Sequence, residues 1–354
     1  IESGMPQKTK LQILGEIVTD YISDRHEAQM LPKSHQRFSW HANFKPLSPA
    51  SWSNPANIPY VAATGLLDAY SQLPRRPDLA FNSLWSATNS LYNDLYLSSH
   101  LSHGAALTDS KSIDYSLQRI AQQLHKQISI TGATNGSIQS ISIFDLLKEY
   151  IRIAPDKNFN FVAQYVLRGI AVERHNAQQA TPATKIREIL ISSAYSTFKK
   201  RFPEIHKKIN DSTGLKFSDL CSVSESLCRT DIDFGIQQNA SERTRKLVHA
   251  TGRILRQEAI AANIKTSSTQ GGFDDQKHWL SFLVLPLLYA TRNTAAHGNS
   301  ASRLNSIFAN GDSISSSTWT FLFCYLYFSL ILFCRSNIAI NDLEPLFENT
   351  KLNL

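Results

Sequence analysis

The chain has 354 residues, of which 42% are hydrophobic and 18% are charged. These values exclude an intrinsically disordered chain, and the length allows one large domain or two smaller ones. The formal net charge of +7 favours an anionic partner, although a solvated basic surface without a partner accounts for it equally well.

The N-terminal part, residues 5–75, is predicted to hold a helix and a long irregular segment. Residues 1–4 precede Met5 and are expected to be a cloning remnant. The helix is predicted at 8–23, and residues 31–59, rich in Pro, Ser, Asn and Trp, are predicted to wrap the helical domain. The chain shows no signal-peptide pattern, and its four cysteines lack zinc-site spacing. We therefore expect a cytoplasmic protein with reduced thiols, no metal and no cofactor.

Helical periodicity dominates the remainder of the chain. Between residues 78 and 97, apolar side chains recur at steps of three and four, and Pro77 suits a helix start. Only residues 137–144 alternate as a strand would. The sequence therefore predicts an all-α fold. Further helices are predicted at 112–129, 141–152, 158–180, 184–201, 241–263, 276–297 and 318–335.

The segment RTDIDFG contains a pair of carboxylates, Asp231 and Asp233, that could hold a metal ion. Nucleotidyltransferases carry such a pair after a Gly-Ser turn, and no such turn precedes this one. We therefore interpret the pair as an exposed acidic turn.

Residues 241–257 are predicted to form an amphipathic helix. Its basic side carries Lys246, His249, Arg253 and Arg256, and its apolar side carries Leu247, Thr251, Ile254 and Leu255. The basic side could follow an RNA phosphate backbone, or it could be a solvated helix face.

The stretch 318–334, TWTFLFCYLYFSLILFC, has no charged residue and is just long enough to cross a membrane. We interpret it as a buried central helix, because the Ser- and Thr-rich lead-in has no basic anchor. A membrane-associated effector that uses this stretch is the alternative.

An Arg-x(4–6)-His pattern occurs five times in the chain, so spacing alone identifies no site. The five pairs are Arg119/His125, Arg168/His175, Arg201/His206, Arg243/His249 and Arg292/His297. Context distinguishes the last pair, which stands in RNTAAHG directly after an apolar helix. There, Asn293 follows the arginine, two alanines allow close approach of another backbone, and Gly298 permits a helix end.

The segment RNTAAHG resembles the Arg-Asn-x-x-x-His motif of HEPN proteins, a group that includes CRISPR-associated ribonucleases, toxins and anti-phage effectors. Residues 81–95, FNSLWSATNSLYNDL, are similar to the first helix of many HEPN domains. The resemblance covers about 76–130 and 276–340. It implies a HEPN-like helical bundle at 76–340 with a large helical insertion at about 131–275, followed by a C-terminal tail at 341–354.

The resemblance implies metal-independent RNA cleavage by Arg292, Asn293 and His297. The RNA 2′-hydroxyl would attack its neighbouring phosphate and leave a 2′,3′-cyclic phosphate and a 5′-hydroxyl. A histidine can exchange the protons, and an arginine can stabilise the phosphate charge. A toxin or anti-phage effector of this kind needs an antitoxin or an activating partner. Asn299, however, replaces a tyrosine that often accompanies silencing by a partner nucleotidyltransferase, which puts that scheme in doubt.

The spacing of the motif predicts a helix end and a second protomer. Residues i and i+5 of an ideal helix point about 140° apart, so Arg292 and His297 do not share a helix face. We expect the helix to end near Ala296, or a homodimer to complete the site. Pro286 is expected to kink or start the helix. The alternative function is a non-catalytic HEPN-like module that binds RNA or protein.

Overall fold

The computed structural model of the chain is predominantly helical, which confirms the all-α class. It describes residues 8–29, 39–100, 107–131, 139–178, 193–226, 229–235, 238–265, 271–296, 303–305 and 309–354. The helices in these ranges are α1 Lys10–Thr19, α2 Ser23–Gln29, α3 Tyr60–Ser71, α4 Pro77–His100, α5 Asp109–Ala121, α6 Ile143–Arg152, α7 Asp156–Gln178, α8 Ser193–Arg201, α9 Pro203–Ile209, α10 Leu215–Asp219, α11 Ala240–Ala261, α12 Gln276–Val284, α13 Ala290–Ala296, α14 Gly311–Cys334 and α15 Glu344–Glu348. The strands are β1 Gln127–Ile130, β2 Gln139–Ser142, β3 Ser222–Ser226 and β4 Arg229–Asp233, paired as two antiparallel hairpins, β1 with β2 and β3 with β4.

The chain forms two compact units, and each draws on separate stretches of sequence. The first comprises residues 1–116, 126–142 and 292–354, and the second comprises 117–125 and 143–291. The second unit differs in its bounds from the predicted insertion at 131–275: residues 126–142 lie in the first unit, and α12 is anchored in the second. The indole of Trp279 is fully buried and donates a hydrogen bond to the backbone oxygen of Ala259 on α11, 2.8 Å away.

Helix α14 is the central element of the first unit. From Thr318 to Leu332 its side chains are buried on all sides, as expected for a helix surrounded by protein. By length and composition α14 could also cross a membrane; nearly all of its apolar stretch lies inside the protein. Helix α4 packs along it, with Trp85 stacked on Tyr327 and the Thr88 hydroxyl 3.8 Å from the Cys324 sulfur.

The irregular segment and the C-terminal residues both pack within the first unit. Aromatic rings of the irregular segment pack on α14, where Phe44 lies 5.6 Å from Tyr325, centroid to centroid. The backbone of Lys45 exchanges two hydrogen bonds with the Asn349 side chain, at 2.8 and 2.9 Å. The C-terminal residues from 341 onward are therefore packed, with Asn349 fully buried.

The second unit is organised around the pair of long helices α7 and α11. They approach closely at Gly252, where an added Cβ would lie 2.4 Å from the Asn160 side-chain oxygen. A side chain at this position would therefore displace the Asn160 amide, whose nitrogen lies 3.0 Å from His249 Nδ1. Asp231 and Asp233 lie on strand β4, which corrects the expectation of an acidic turn, because the backbone of residues 222–226 pairs with this segment as an antiparallel strand.

Candidate functional site

The motif is delivered by an almost continuous helical run from Gln276 to Ala296. Asp275 caps its start by accepting a hydrogen bond from the His278 amide at 2.7 Å. Pro286 cannot donate to the preceding turn, and the helix accommodates it with a π-helical turn over Leu285–Tyr289. The expected kink at Pro286 therefore takes the form of a π-turn.

The side chains of Arg292 and Asn293 contact each other. Arg292 donates a hydrogen bond from Nη1 to the Asn293 side-chain oxygen at 2.9 Å, and both residues are partly buried. Within the described residues no carboxylate accepts from this guanidinium. An oriented guanidinium that is not neutralised by a carboxylate retains its charge for an anionic ligand.

The third residue of the predicted catalytic set, His297, lies outside the described residues, as does Gly298. Helix α13 is described up to Ala296. The expectations that the helix ends near this point and that a second protomer completes the site therefore stay predictions.

The four residues of the predicted RNA-binding face differ in how they are held. Lys246, His249 and Arg253 are exposed and Arg256 is partly buried. Lys246 pairs with Glu242 at 2.8 Å along the same helix, and this hydrogen bond lowers the pKa of the glutamate. Arg253 alone among the four has no hydrogen bond or ion pair to a described residue.

Two members of this face serve the contact between α11 and α7. His249 Nδ1 lies 3.0 Å from the Asn160 side-chain nitrogen. Arg256 donates to the Asp156 carboxylate at 2.7 Å and to the Arg152 backbone oxygen at 2.6 Å. The guanidinium of Arg256 therefore joins α11 to α7 and to the end of α6, in addition to any ligand it binds.

The buried side of α11 is displaced from the one the sequence predicts. Thr251 and Leu255 are buried as expected, but Leu247 and Ile254 are only partly buried. Val248 takes the central position together with Gly252, because the close approach of α7 at Gly252 sets the rotation of the helix.

The second unit contains a polar cluster that no sequence pattern predicted. The Tyr195 hydroxyl donates to Glu173 at 2.6 Å and lies 3.0 Å from His206 Nε2, and Lys199 binds the same carboxylate at 2.8 Å. Burial lowers the pKa of His206, assisted by the Lys199 ammonium, while Glu173 opposes the shift. Only the tertiary structure brings these residues of α7, α8 and α9 together, and Gly169 provides the space for the tyrosine ring.

Within the described ranges, no group of three or more His, Cys, Asp or Glu side chains is arranged to hold a metal ion. Comparisons with known protein families, with curated proteins and with solved structures found no match to this chain. The likeness to HEPN proteins therefore rests on RNTAAHG and FNSLWSATNSLYNDL alone.

Proposed function

We propose that the chain is a metal-independent endoribonuclease that uses Arg292, Asn293 and His297. The arginine carries the proposal: it is partly buried at the end of an apolar helical run, and its hydrogen bond goes to a neutral amide. Burial of an uncompensated charge is costly, so an arginine with a purely structural role usually faces a carboxylate. A guanidinium held by an amide suits a phosphate ligand instead.

In the proposed reaction the RNA 2′-oxygen forms a bond to the adjacent phosphorus, and the bond from phosphorus to the 5′-oxygen breaks. His297 takes the 2′-hydroxyl proton, and the 5′-oxygen leaves with a proton from a second histidine or from water. Arg292 stabilises the negative charge on the phosphate oxygens, and Asn293 holds the guanidinium in place. DNA has no 2′-hydroxyl and is inert in this scheme.

A composite site in a homodimer would place two motifs on one RNA. Arg253 is the exposed cation of the α11 face that we expect to contact phosphate, since the other three residues already have hydrogen-bond or ion-pair partners within the protein. An enzyme of this kind would act as a toxin or an anti-phage effector under the control of a partner.

The test is cleavage of single-stranded RNA in EDTA by the wild type and by His297→Ala. His125→Ala is the matched control, because His125 belongs to another Arg-x(4–6)-His pair and is exposed. We expect cleavage by the wild type and the control, and none by His297→Ala. Cleavage that persists in His297→Ala, or that stops with the chelator, would rule out this mechanism.

The second candidate function is a non-catalytic module that binds RNA or a protein partner. Helix α3 exposes apolar side chains in its favour, with Tyr60 77%, Val61 63% and Leu67 66% exposed. A wild-type protein that binds RNA or a partner but cleaves no RNA under any activating condition would favour this candidate.

A further inference from the structure

The first half of α14 buries hydroxyl groups where a core helix normally buries carbon. Ser317 and Thr318 are fully buried, and their hydroxyl oxygens have no hydrogen-bond partner among the described residues. Thr320, by contrast, donates to the backbone oxygen of Ser316 at 2.8 Å. A buried hydroxyl without a partner is costly, so such a group in a native core points to a bound polar species.

The packing of α4 along α14 shows where the Ser317 hydroxyl lies. The helices run parallel: Thr88 meets Cys324, and Asp94 pairs with Arg335 at 3.1 Å. In both contacts the α14 residue has a number about 240 higher than its α4 partner. By the same offset, Ser317 lies beside the first turn of α4, which begins at Pro77. Ser317 and Cys324 are seven residues apart and share a helix face, so Ser317 faces the α4 side.

Two arginines lie at this level of the first unit. Arg76 forms a bidentate pair with Asp78 in the first turn of α4, at 2.9 and 2.8 Å. Arg303 donates from Nη1 to the Thr320 hydroxyl at 3.3 Å, one turn beyond Ser317. Burial lowers the pKa of Arg303, and the attraction of Asp78 opposes this shift.

These groups have the character of a phosphate site. Guanidinium groups and a serine hydroxyl are donors to phosphate oxygens, and the positive end of the α4 dipole adds to their field. The carboxylate of Asp78 holds Arg76 in a fixed orientation. The complete burial of Ser317 restricts the ligand to a small one or to the end of a larger one.

We propose that Arg303, Ser317, Thr320 and Arg76 form a binding site for a phosphate group, separate from Arg292 and His297. The site goes beyond the ribonuclease proposal and does not depend on it. Its ligand is inorganic phosphate or the phosphate of a nucleotide, and these two sources share the chemistry that the site recognises.

The test measures binding of inorganic phosphate and of adenosine 5′-monophosphate to the full chain by titration calorimetry at matched ionic strength. We expect the wild type to bind one of them, Ser317→Ala to bind about tenfold more weakly and Arg303→Gln to lose binding. Tighter binding of the nucleotide would identify a nucleotide as the source, and tighter binding of phosphate would identify the free ion.

Arg335→Gln is the matched control, because it removes an arginine of the same unit from its ion pair with Asp94. Its phosphate affinity should equal that of the wild type. Ser317→Ala removes only a buried hydroxyl, so it keeps the test valid if Arg303→Gln does not fold. Absence of binding by the wild type, or equal affinity in the wild type and Ser317→Ala, would overturn the proposal.

Discussion

The guanidinium of Arg292 donates a hydrogen bond to the side chain of Asn293, the next residue on the same helix, at 2.9 Å. Consecutive helical residues point about 100° apart, so this contact requires the longer side chain to bend around the helix. The contact fixes the orientation of the guanidinium with respect to the helix, and the proposed function depends on that orientation.

Arg292→Lys is expected to reduce RNA cleavage about a hundredfold or more, because an ammonium cannot make the planar bidentate contact to phosphate. Asn293→Ala should reduce kcat less, about tenfold, since the charge remains but its orientation is lost. Initial rates in EDTA measure both variants. Wild-type rates in Arg292→Lys would remove the arginine from the mechanism.

A composite dimer site predicts complementation between inactive variants. A mixture of Arg292→Lys and His297→Ala should regain activity if one protomer supplies the arginine and the other the histidine. The mixture is compared with each variant alone at the same total concentration. Activity no greater than the sum of the two would indicate that each site lies within one protomer.

Substitutions of Arg253 and Arg256 are expected to differ in effect: the first should weaken RNA binding, and the second should lower the stability of the fold. Arg253→Ala should weaken RNA binding, and the slope of the logarithm of affinity against the logarithm of salt concentration should fall by about one, as expected for the loss of one phosphate contact. Its free energy of unfolding should change by less than about 0.5 kcal/mol. Arg256→Ala should lower the free energy of unfolding by about 1 kcal/mol, because it loses bonds to Asp156 and to the Arg152 carbonyl. Urea unfolding and RNA titrations at several salt concentrations test this pair, and equal effects of the two variants on stability would contradict it.

Gly169→Ala is expected to destabilise the second unit by about 1–3 kcal/mol. An added Cβ would lie 2.2 Å from the Tyr195 ring, and the ring cannot move without losing its hydrogen bond to Glu173. Gly15→Ala is the control, since no atom lies within 4 Å of its added Cβ, and it should be neutral or stabilising. Thermal unfolding gives the comparison, and a Gly169→Ala variant as stable as the wild type would show that Tyr195 can be displaced without cost.

The partly buried His206 predicts a loss of stability on acidification. Its pKa in the folded protein lies below the usual value of about 6.5, so the unfolded chain binds the proton more tightly. Its contribution is fully present above about pH 6.5 and is lost as the pH falls towards the folded-state pKa. His206→Gln should therefore flatten the decline of the unfolding free energy below about pH 6.5. A His206→Gln profile that matches the wild type would assign the pH dependence to other groups.

The local sequence pattern was enough to predict the helical class of the fold and the burial of α14. Steps of three and four residues record one face of a helix. An uncharged stretch of helix length is typical of a protein core or a membrane, and the Ser- and Thr-rich lead-in without a basic anchor favoured the core. The position of Pro286 likewise predicted an irregularity, since a missing N–H is a local property.

Other features depended on contacts between distant residues. The rotation of α11, and with it the burial of Val248 in place of Leu247, follows from the close approach of α7 at Gly252. The same approach engages His249 and Arg256, which the sequence shows only as basic residues. Charge and periodicity are visible along a chain, but which neighbour satisfies a charge or a hydroxyl such as Ser317 is decided only when separate helices pack together.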